Sequence, residues 1–294
     1  MPPNLNHPEL GQFLGIGNII TAGIYLYRSR FKEYLKLAIL AHIWLLFPLY
    51  GWAKYSATSA FIARLAFSDL SGVSVESDAT KRQIDRHKWQ LLIITFLVIL
   101  INLITVAIAY IVFCLIFGIL SFYIAELREV IRDPINSSSV LIPLLGIGVI
   151  LFAGLLSSWV YSRFFIVELP YTIESNFRIY GTTQRSRQLS KKSGLFILTT
   201  ILILFLITCP ISYITVSLGA SVIMPLLKLL PIYPYSNWSL RFLIYYVVLI
   251  TLSLLTNAIT MPLWQTAKAA LYYSLRSRRE GFDLRLSNAE SAID

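Results

Sequence analysis

The sequence predicts an all-α fold, a polytopic membrane helical bundle. Of its 294 residues, 56% are hydrophobic and only 14% are charged, and the mean hydropathy is +0.69. Soluble domains carry about 25% charged residues. The apolar runs exceed the ~18 residues that mark a spanning helix, whereas barrel strands would alternate over about 10 residues. We therefore expect about six membrane helices, arranged as three sequential hairpins in a single integral membrane domain over residues 1–294.

An amphipathic helix is predicted over residues 10–31. Its apolar residues recur at alternating spacings of three and four, which places them on one helical face. They are Leu10, Phe13, Gly17, Ile20, Ile24, Tyr27 and Phe31. We interpret this segment as a helix lying in the membrane interface. A seventh, polar spanning helix is the alternative, because Leu10 to Tyr27 carries no charge, and it would place Met1 on the far side.

The first hairpin is predicted over residues 34–70. Basic clusters flank this run at both ends and should lie on one side of the membrane, so the run must cross an even number of times. Pro48, Gly51 and Lys54 mark the predicted outer turn. Both arms are short, and Arg64 must snorkel or pair. A shallow hairpin that does not cross fully is therefore the alternative.

The second hairpin is predicted over residues 88–169 and the third over 193–276, with a cytoplasmic tail over 277–294. Lys and Arg cluster at 28 to 36, 81 to 88, 178 to 192 and 268 to 285. The turns on the opposite side are poor in basic residues. This positive-inside pattern predicts that the N-terminal helix, both inter-hairpin loops and the tail are cytoplasmic.

The returning helices of the second and third hairpins share a tryptophan followed four residues later by a cation. The pairs are Trp159 with Arg163 and Trp264 with Lys268. Residues four apart share a helical face, so the pattern predicts that each cation stacks on its tryptophan near the interface.

Few ionisable residues interrupt the apolar runs, which argues against an enzyme or an ion-coupled transporter. His42 is interpreted as a neutral imidazole hydrogen-bonded between helices. Three scattered histidines without a carboxylate at ligand spacing predict no metal site, and no cofactor is expected. The net charge of +10 does not indicate nucleic-acid binding, since no soluble basic domain is left over.

Two groups of residues are candidates for function. Cations of the loops and tail would bind anionic lipid headgroups or the acidic surface of a membrane protein complex, unless they only set topology. They are Arg82, Arg86, Lys88, Arg185, Arg187, Lys191, Lys192, Arg276, Arg278 and Arg279. Asn102, Thr105 and Asn257 would line a polar pathway, or else hydrogen-bond between helices.

The closing segment from Leu271 to Leu284, LYYSLRSRREGFDL, resembles the end of a broad bacterial family of helical membrane domains, roughly YxDLRxRxEGFDL. The segment from Ile16 to Phe31 also looks like that family's start. Members stand alone or are fused to glycerophosphodiester phosphodiesterases. The resemblance implies a bacterial inner, or internal, membrane. The phosphodiesterase needs a soluble barrel with His and acidic metal ligands, so its activity is not carried over to this chain.

Together these patterns predict a non-enzymatic integral membrane protein. We expect a scaffold, assembly or accessory subunit that engages lipids or a partner complex through its cytoplasmic basic loops. The alternative is a transporter or flippase-like carrier of a lipid or small solute, and an enzyme comes third.

Overall fold

The structure is a computed structural model that describes residues 15–73, 76–123, 141–174, 179–229 and 237–280. Within these ranges the chain forms helices and no strand, which confirms the predicted all-α class. The ten helices of these ranges are α1 Ile16–Ser29, α2 Phe31–Trp44, α3 Tyr50–Ser71, α4 Ser77–Arg86, α5 Lys88–Tyr123, α6 Leu141–Ser162, α7 Glu168–Ile173, α8 Ile179–Ser190, α9 Gly194–Lys228 and α10 Trp238–Glu280.

Three helices of the described ranges are long and apolar enough to cross a membrane. They are α5 over Lys88–Ile116, α9 over Gly194–Lys228 and α10 over Trp238–Glu280. A shorter apolar stretch, Ile147–Ser162, lies in α6. Helices of this length and composition indicate a membrane protein. Six spanning helices were predicted. The described residues contain three helices of sufficient length, and α6 contains a shorter apolar stretch.

The helices divide into two regions, which we call the arms and the base. The arms are the segments 99–123, 141–162, 209–229 and 238–255. Their apolar side chains are mostly exposed over 99–116, 147–162, 209–229 and 238–255. The base comprises α1 to α4, α7, α8 and the adjoining segments 88–98, 194–208 and 256–280, where most buried residues gather. Within the arms α5 contacts α6, α9 contacts α10, and α6 contacts α9. Apolar helices that stay exposed along most of their surface are typical of lipid contact.

Helix α1 packs closely against α10. A Cβ atom added at Gly23 would lie 3.0 Å from the Cα of Ala267. The Thr266 hydroxyl donates to the Gly23 carbonyl at 2.8 Å, and the Tyr27 hydroxyl donates to the Ile259 carbonyl at 2.8 Å. Small residues that let two backbones approach are a common packing device in membrane proteins. The first helix is therefore held by the bundle.

The buried face of α1 differs from the predicted stripe by one residue position. The structure buries Ile19, Gly23 and Leu26, each directly before a stripe residue, although Ile20 is buried as well. Gly17 and Phe31 are exposed. The reason is steric, because Gly23 lets the backbone of α1 approach Ala267 of α10 closely. Residues 10–14 of the predicted helix lie outside the described residues.

Helices α2 and α3 form an antiparallel hairpin. At one end the Arg30 guanidinium lies 2.9 Å from an Asp69 oxygen. At the other end the chain turns between Trp44 and Tyr50, in the region predicted from Pro48 and Gly51. We call residues 44–52 the hairpin tip. Its large apolar side chains are mainly exposed: Leu46, Phe47, Leu49, Tyr50 and Trp52.

The hairpin tip lies beside the start of α5, which corrects one part of the predicted topology. The Lys54 ammonium is 2.7 Å from an Asp85 oxygen, and the Lys88 ammonium is 4.7 Å from the centre of the Tyr50 ring. The prediction placed Lys54 at an outer turn and residues 81–88 on the cytoplasmic side. A 2.7 Å contact cannot bridge a hydrocarbon core of about 30 Å, so the two placements cannot both hold. The contact agrees with the shallow hairpin that does not cross.

The predicted second and third hairpins correspond to α5 with α6 and to α9 with α10. Their outer turns fall in 124–140 and 230–236, outside the described residues. Helix α10 runs into the predicted tail as far as Glu280, and residues 281–294 are likewise outside the described part.

Candidate functional site

The short helix α7 connects the helices of the base. The Lys268 ammonium of α10 lies 2.7 Å from the Glu168 carboxylate. The Tyr171 hydroxyl donates to the side-chain oxygen of Gln90 on α5. Burial raises the pKa of Tyr171 to about 12, so the hydroxyl keeps its proton at neutral pH. Helix α7 thus links the N-terminal end of α5 to the C-terminal half of α10.

Arg185 is the centre of an ion-pair cluster between α7, α8 and α10. Its Nε atom lies 3.0 and 3.1 Å from the two oxygens of Glu174. Its guanidinium also pairs with Glu280, which lies 3.3 Å from Arg276. Burial alone would lower the pKa of Arg185, but the two carboxylates outweigh it and the pKa is raised. The positive charges of Arg185 and Arg276 are therefore neutralised by Glu174 and Glu280.

A polar cavity of about 170 Å³ lies beside this cluster, between α7 and α8. Its lining residues are Pro170, Glu174, Gly181, Thr182, Gln184, Arg185 and Gln188. Because Arg185 already faces two carboxylates, the cavity does not offer an uncompensated positive charge to an anion.

Three further predicted cations take part in contacts within the base. Lys88 lies over Tyr50, and the Arg278 guanidinium lies 4.3 Å from the centre of the Phe196 ring. Arg279 donates to the backbone carbonyl of Gln188. Cations over aromatic rings stabilise a fold by about 0.5–2 kcal/mol. Together with the Arg185 cluster, these contacts make five of the ten predicted cations structural.

The other five predicted cations are exposed and have no ion-pair partner in the part of the chain that the structure describes. Arg82 and Arg86 lie on α4, and Arg187, Lys191 and Lys192 lie on α8 and the turn after it. The structure therefore brings the predicted cations into one base but leaves two separate exposed groups. These two groups are the candidate binding surface.

The predicted polar-pathway residues do not enclose a common route in the described helices. The Ser157 hydroxyl of α6 donates to the Asn102 side-chain oxygen at 2.9 Å, an interhelical bond between two arms. The Thr105 hydroxyl donates to the carbonyl of its own helix four residues earlier. Asn257 is exposed on α10.

Two side-chain predictions have different outcomes. Arg163 lies 5.1 Å from the Trp159 ring, which confirms the first predicted stacking pair. Lys268 instead lies 5.2 Å from the centre of the Phe165 ring, because its ion pair with Glu168 draws it toward α7. The predicted stacking on Trp264 is replaced by this contact.

His42 is buried, but its described hydrogen bond lies within its own helix. Its Nδ1 atom is 2.8 Å from the Ala38 carbonyl, one turn earlier in α2. The contact with the neighbouring helix is an edge-on ring contact with Tyr55, 5.3 Å between centroids. The expected interhelical hydrogen bond is thus an intrahelical bond with aromatic packing.

Sequence reasoning missed the acidic partners of the base, Glu174 and Glu280. Both lie close to basic clusters in the sequence, and this charge alternation was the only signal for them. The pairing itself joins residues far apart, since Arg185 and Glu280 are separated by 95 positions.

Comparison with known proteins adds no family to this picture. No protein-family model, no curated protein and no solved structure matches the chain. Among the described residues, no group of three or more His, Cys, Asp or Glu side chains is placed to hold a metal ion. The interpretation of function therefore rests on the exposed cations and on the apolar helices.

Proposed function

We propose that this chain is a non-enzymatic integral membrane protein that engages lipids or a partner complex through its cytoplasmic basic surface. It would act as a scaffold, an assembly factor or an accessory subunit. The observation that carries the proposal is the division among the predicted cations. Five of them make ion-pair, cation–π or hydrogen-bond contacts within the base. The other five are exposed and have no ion-pair partner among the described residues: Arg82, Arg86, Arg187, Lys191 and Lys192.

In this proposal α5, α6, α9 and α10 span the membrane, and the α2–α3 hairpin enters and leaves on one side. The Lys54–Asp85 contact supports the second part, because it keeps the hairpin tip level with the entry of α5. Both termini then lie with the basic clusters, on the cytoplasmic side. The resemblance of the Leu271 to Leu284 segment favours a bacterial inner, or internal, membrane.

Each exposed cation near an anionic leaflet contributes about 1 kcal/mol to binding, so three of them together contribute a substantial part of an affinity. Arg187, Lys191 and Lys192 follow one another along α8 and its C-terminal turn. An acidic partner surface or a patch of anionic headgroups would neutralise all three at once. Such a surface would recognise a partner by its charge, and any reaction would be carried out by the bound partner.

Purification in mild detergent tests the proposal. We expect a stoichiometric partner or enriched anionic phospholipid to copurify with the wild-type chain and to be reduced in a variant with Arg187, Lys191 and Lys192 replaced by glutamine. The matched control replaces three other exposed cations, Arg28, Lys32 and Lys36, by glutamine and should behave as the wild type. Equal retention by the triple variant would contradict the proposal.

The alternative is a carrier of a lipid or small solute with Asn102, Thr105 and Asn257 along its route. The described contacts favour the scaffold, because Asn102 is engaged by Ser157 and Asn257 is exposed on the outside of α10. Substrate-dependent flux in vesicles that Asn257→Leu abolished, with the fold intact, would instead favour the carrier.

A further inference from the structure

A groove between α2, α3 and α4 combines an apolar floor with a basic rim. Its volume is about 190 Å³. Its lining residues are Leu40, Trp44, Lys54, Ala57, Thr58, Phe61, Lys81, Arg82, Ile84 and Asp85. We call it the α4 groove. A site of this size is smaller than the roughly 300–1,000 Å³ that holds a whole drug-sized ligand, so it would take one part of a larger molecule.

The rim of the α4 groove carries an uncompensated positive charge. Three cations and one carboxylate line the groove, which leaves a net charge of +2. The carboxylate, Asp85, is 2.7 Å from Lys54, so these two charges neutralise each other. Lys81 and Arg82 are exposed and have no ion-pair partner among the residues described. The rim therefore favours an anion and repels a cation.

The floor of the groove is apolar and continues onto the exposed apolar surface of the hairpin tip. Leu40 and Trp44 line the groove and lead directly to the hairpin tip with its exposed aromatic and aliphatic side chains. An apolar patch rimmed by polar residues marks an interaction site for a membrane or a partner. Tryptophan and tyrosine are enriched at the headgroup level of a bilayer.

The depth of the groove follows from its neighbours. Lys88 opens α5, the first long apolar helix, and lies over Tyr50 of the hairpin tip. The tip is therefore at the level where α5 enters the bilayer, if α5 spans as proposed above. At that level Lys81 and Arg82 lie among lipid headgroups, and the apolar floor lies toward the acyl chains.

We propose that the α4 groove binds an anionic phospholipid of the surrounding membrane. The lipid phosphate lies between Lys81 and Arg82, and the first acyl segments cover Leu40, Trp44 and Phe61. This inference rests on the proposed membrane placement but adds a defined site and a ligand class. Charge complementarity selects the anionic headgroup, and the apolar floor selects an amphiphile over a soluble anion.

Spin-labelled phosphatidylglycerol and phosphatidylcholine with identical chains, in nanodiscs, test the site through the immobilised lipid fraction. We expect preferential immobilisation of phosphatidylglycerol by the wild type. Replacing both Lys81 and Arg82 by glutamine should weaken this preference by up to about 30-fold, at about fivefold for each cation. An unchanged preference would overturn the proposal.

A second pair of variants separates the groove from general surface charge. Leu40 and Ile39 are neighbours that are 42% and 40% exposed, and of the two only Leu40 lines the groove. Leu40→Glu should reduce phosphatidylglycerol immobilisation, whereas Ile39→Glu should leave it near the wild-type level. Equal loss in both would show binding by diffuse charge, which overturns the groove while leaving the proposed function standing.

Competition with glycerol 3-phosphate distinguishes a lipid from a soluble phosphate. We expect millimolar glycerol 3-phosphate to leave the immobilised lipid in place, because it cannot cover the apolar floor. Displacement of the lipid by the soluble compound would assign the rim to a free anion and contradict the proposal. If substitution of Arg187, Lys191 and Lys192 abolishes the preference for anionic lipid and substitution of Lys81 and Arg82 does not, the proposed function is supported and the groove proposal is overturned.

Discussion

The buried ion pair between Lys268 and Glu168 should be a main support of the base. The two atoms are 2.7 Å apart, and the side chains are only 12% and 17% exposed. Removing one partner of a buried pair leaves an uncompensated charge and costs about 3–5 kcal/mol, against about 0–1 kcal/mol at the surface. Because some exposure remains, we expect Glu168→Gln to lower the free energy of unfolding by about 3 kcal/mol.

The assay is the apparent melting temperature in mild detergent, followed by tryptophan fluorescence. A loss of about 3 kcal/mol corresponds to a decrease of roughly 6–12 °C for a chain of this size. A double variant, Glu168→Gln with Lys268→Met, removes both charges and should melt higher than Glu168→Gln alone. The exposed pair Arg30–Glu33, at 3.6 Å with both side chains 44% exposed, supplies the control through Glu33→Gln.

The reasoning is refuted if Glu168→Gln lowers the melting temperature no more than Glu33→Gln does. It is also refuted if the effects of Glu168→Gln and Lys268→Met simply add in the double variant, because additive effects would mean that the two charges do not interact.

Three further predictions concern single positions. Gly51→Ala should cost about 2–3 kcal/mol of stability, because a Cβ there would lie 1.7 Å from the Trp44 carbonyl oxygen, and a melting temperature equal to wild type would contradict this. Lys192→Gly should raise stability by about 1 kcal/mol in the same assay, since its φ of +70° suits glycine, and any decrease would count against it. The pKa of Tyr171 rises from 10.0 to about 12 on folding, so its neutral hydroxyl stabilises the fold fully below pH 10 and this contribution is lost as pH rises through about 12. Tyr171→Phe should therefore lose less stability between about pH 9 and pH 12 than the wild type, and parallel losses would contradict the assignment.

Composition and apolar run length were enough to predict the helical class and the long helices. Helices α5 and α9 follow the basic clusters at 81–88 and 178–192, and α10 follows the predicted outer turn at 230–236. Each coincides with an apolar run, because an apolar stretch of that length has few other stable forms in lipid. The Trp159–Arg163 stack was equally predictable, since residues four apart on one helix meet without any tertiary information.

Whether the first hairpin crosses the membrane depended on a long-range contact that no local sequence pattern indicates. Parity of the basic clusters requires an even number of crossings, and zero satisfies it as well as two. The Lys54–Asp85 pair joins residues 31 positions apart and favours zero. The buried face of α1 was likewise decided by the fit of Gly23 against Ala267, which hydrophobicity alone cannot detect.

The candidate site was predicted by residue type but not by role. The ten cations were chosen by residue type and position in the sequence, and only tertiary contacts separate Arg185, held by Glu174 and Glu280, from the exposed Arg187 two positions later. The Lys268–Glu168 pair spans 100 positions, so its partners could not be matched from the sequence.

The central claim is that the α2–α3 hairpin enters and leaves the membrane on the side that holds the exposed cations. The test uses single cysteines at Leu49, Arg82 and Arg187, in a background where the free Cys114 and Cys209 are replaced by alanine. An impermeant maleimide should label all three positions in inside-out vesicles and none in intact cells. Labelling of Leu49, which is 62% exposed at the hairpin tip, in intact cells but not in inside-out vesicles would contradict the account.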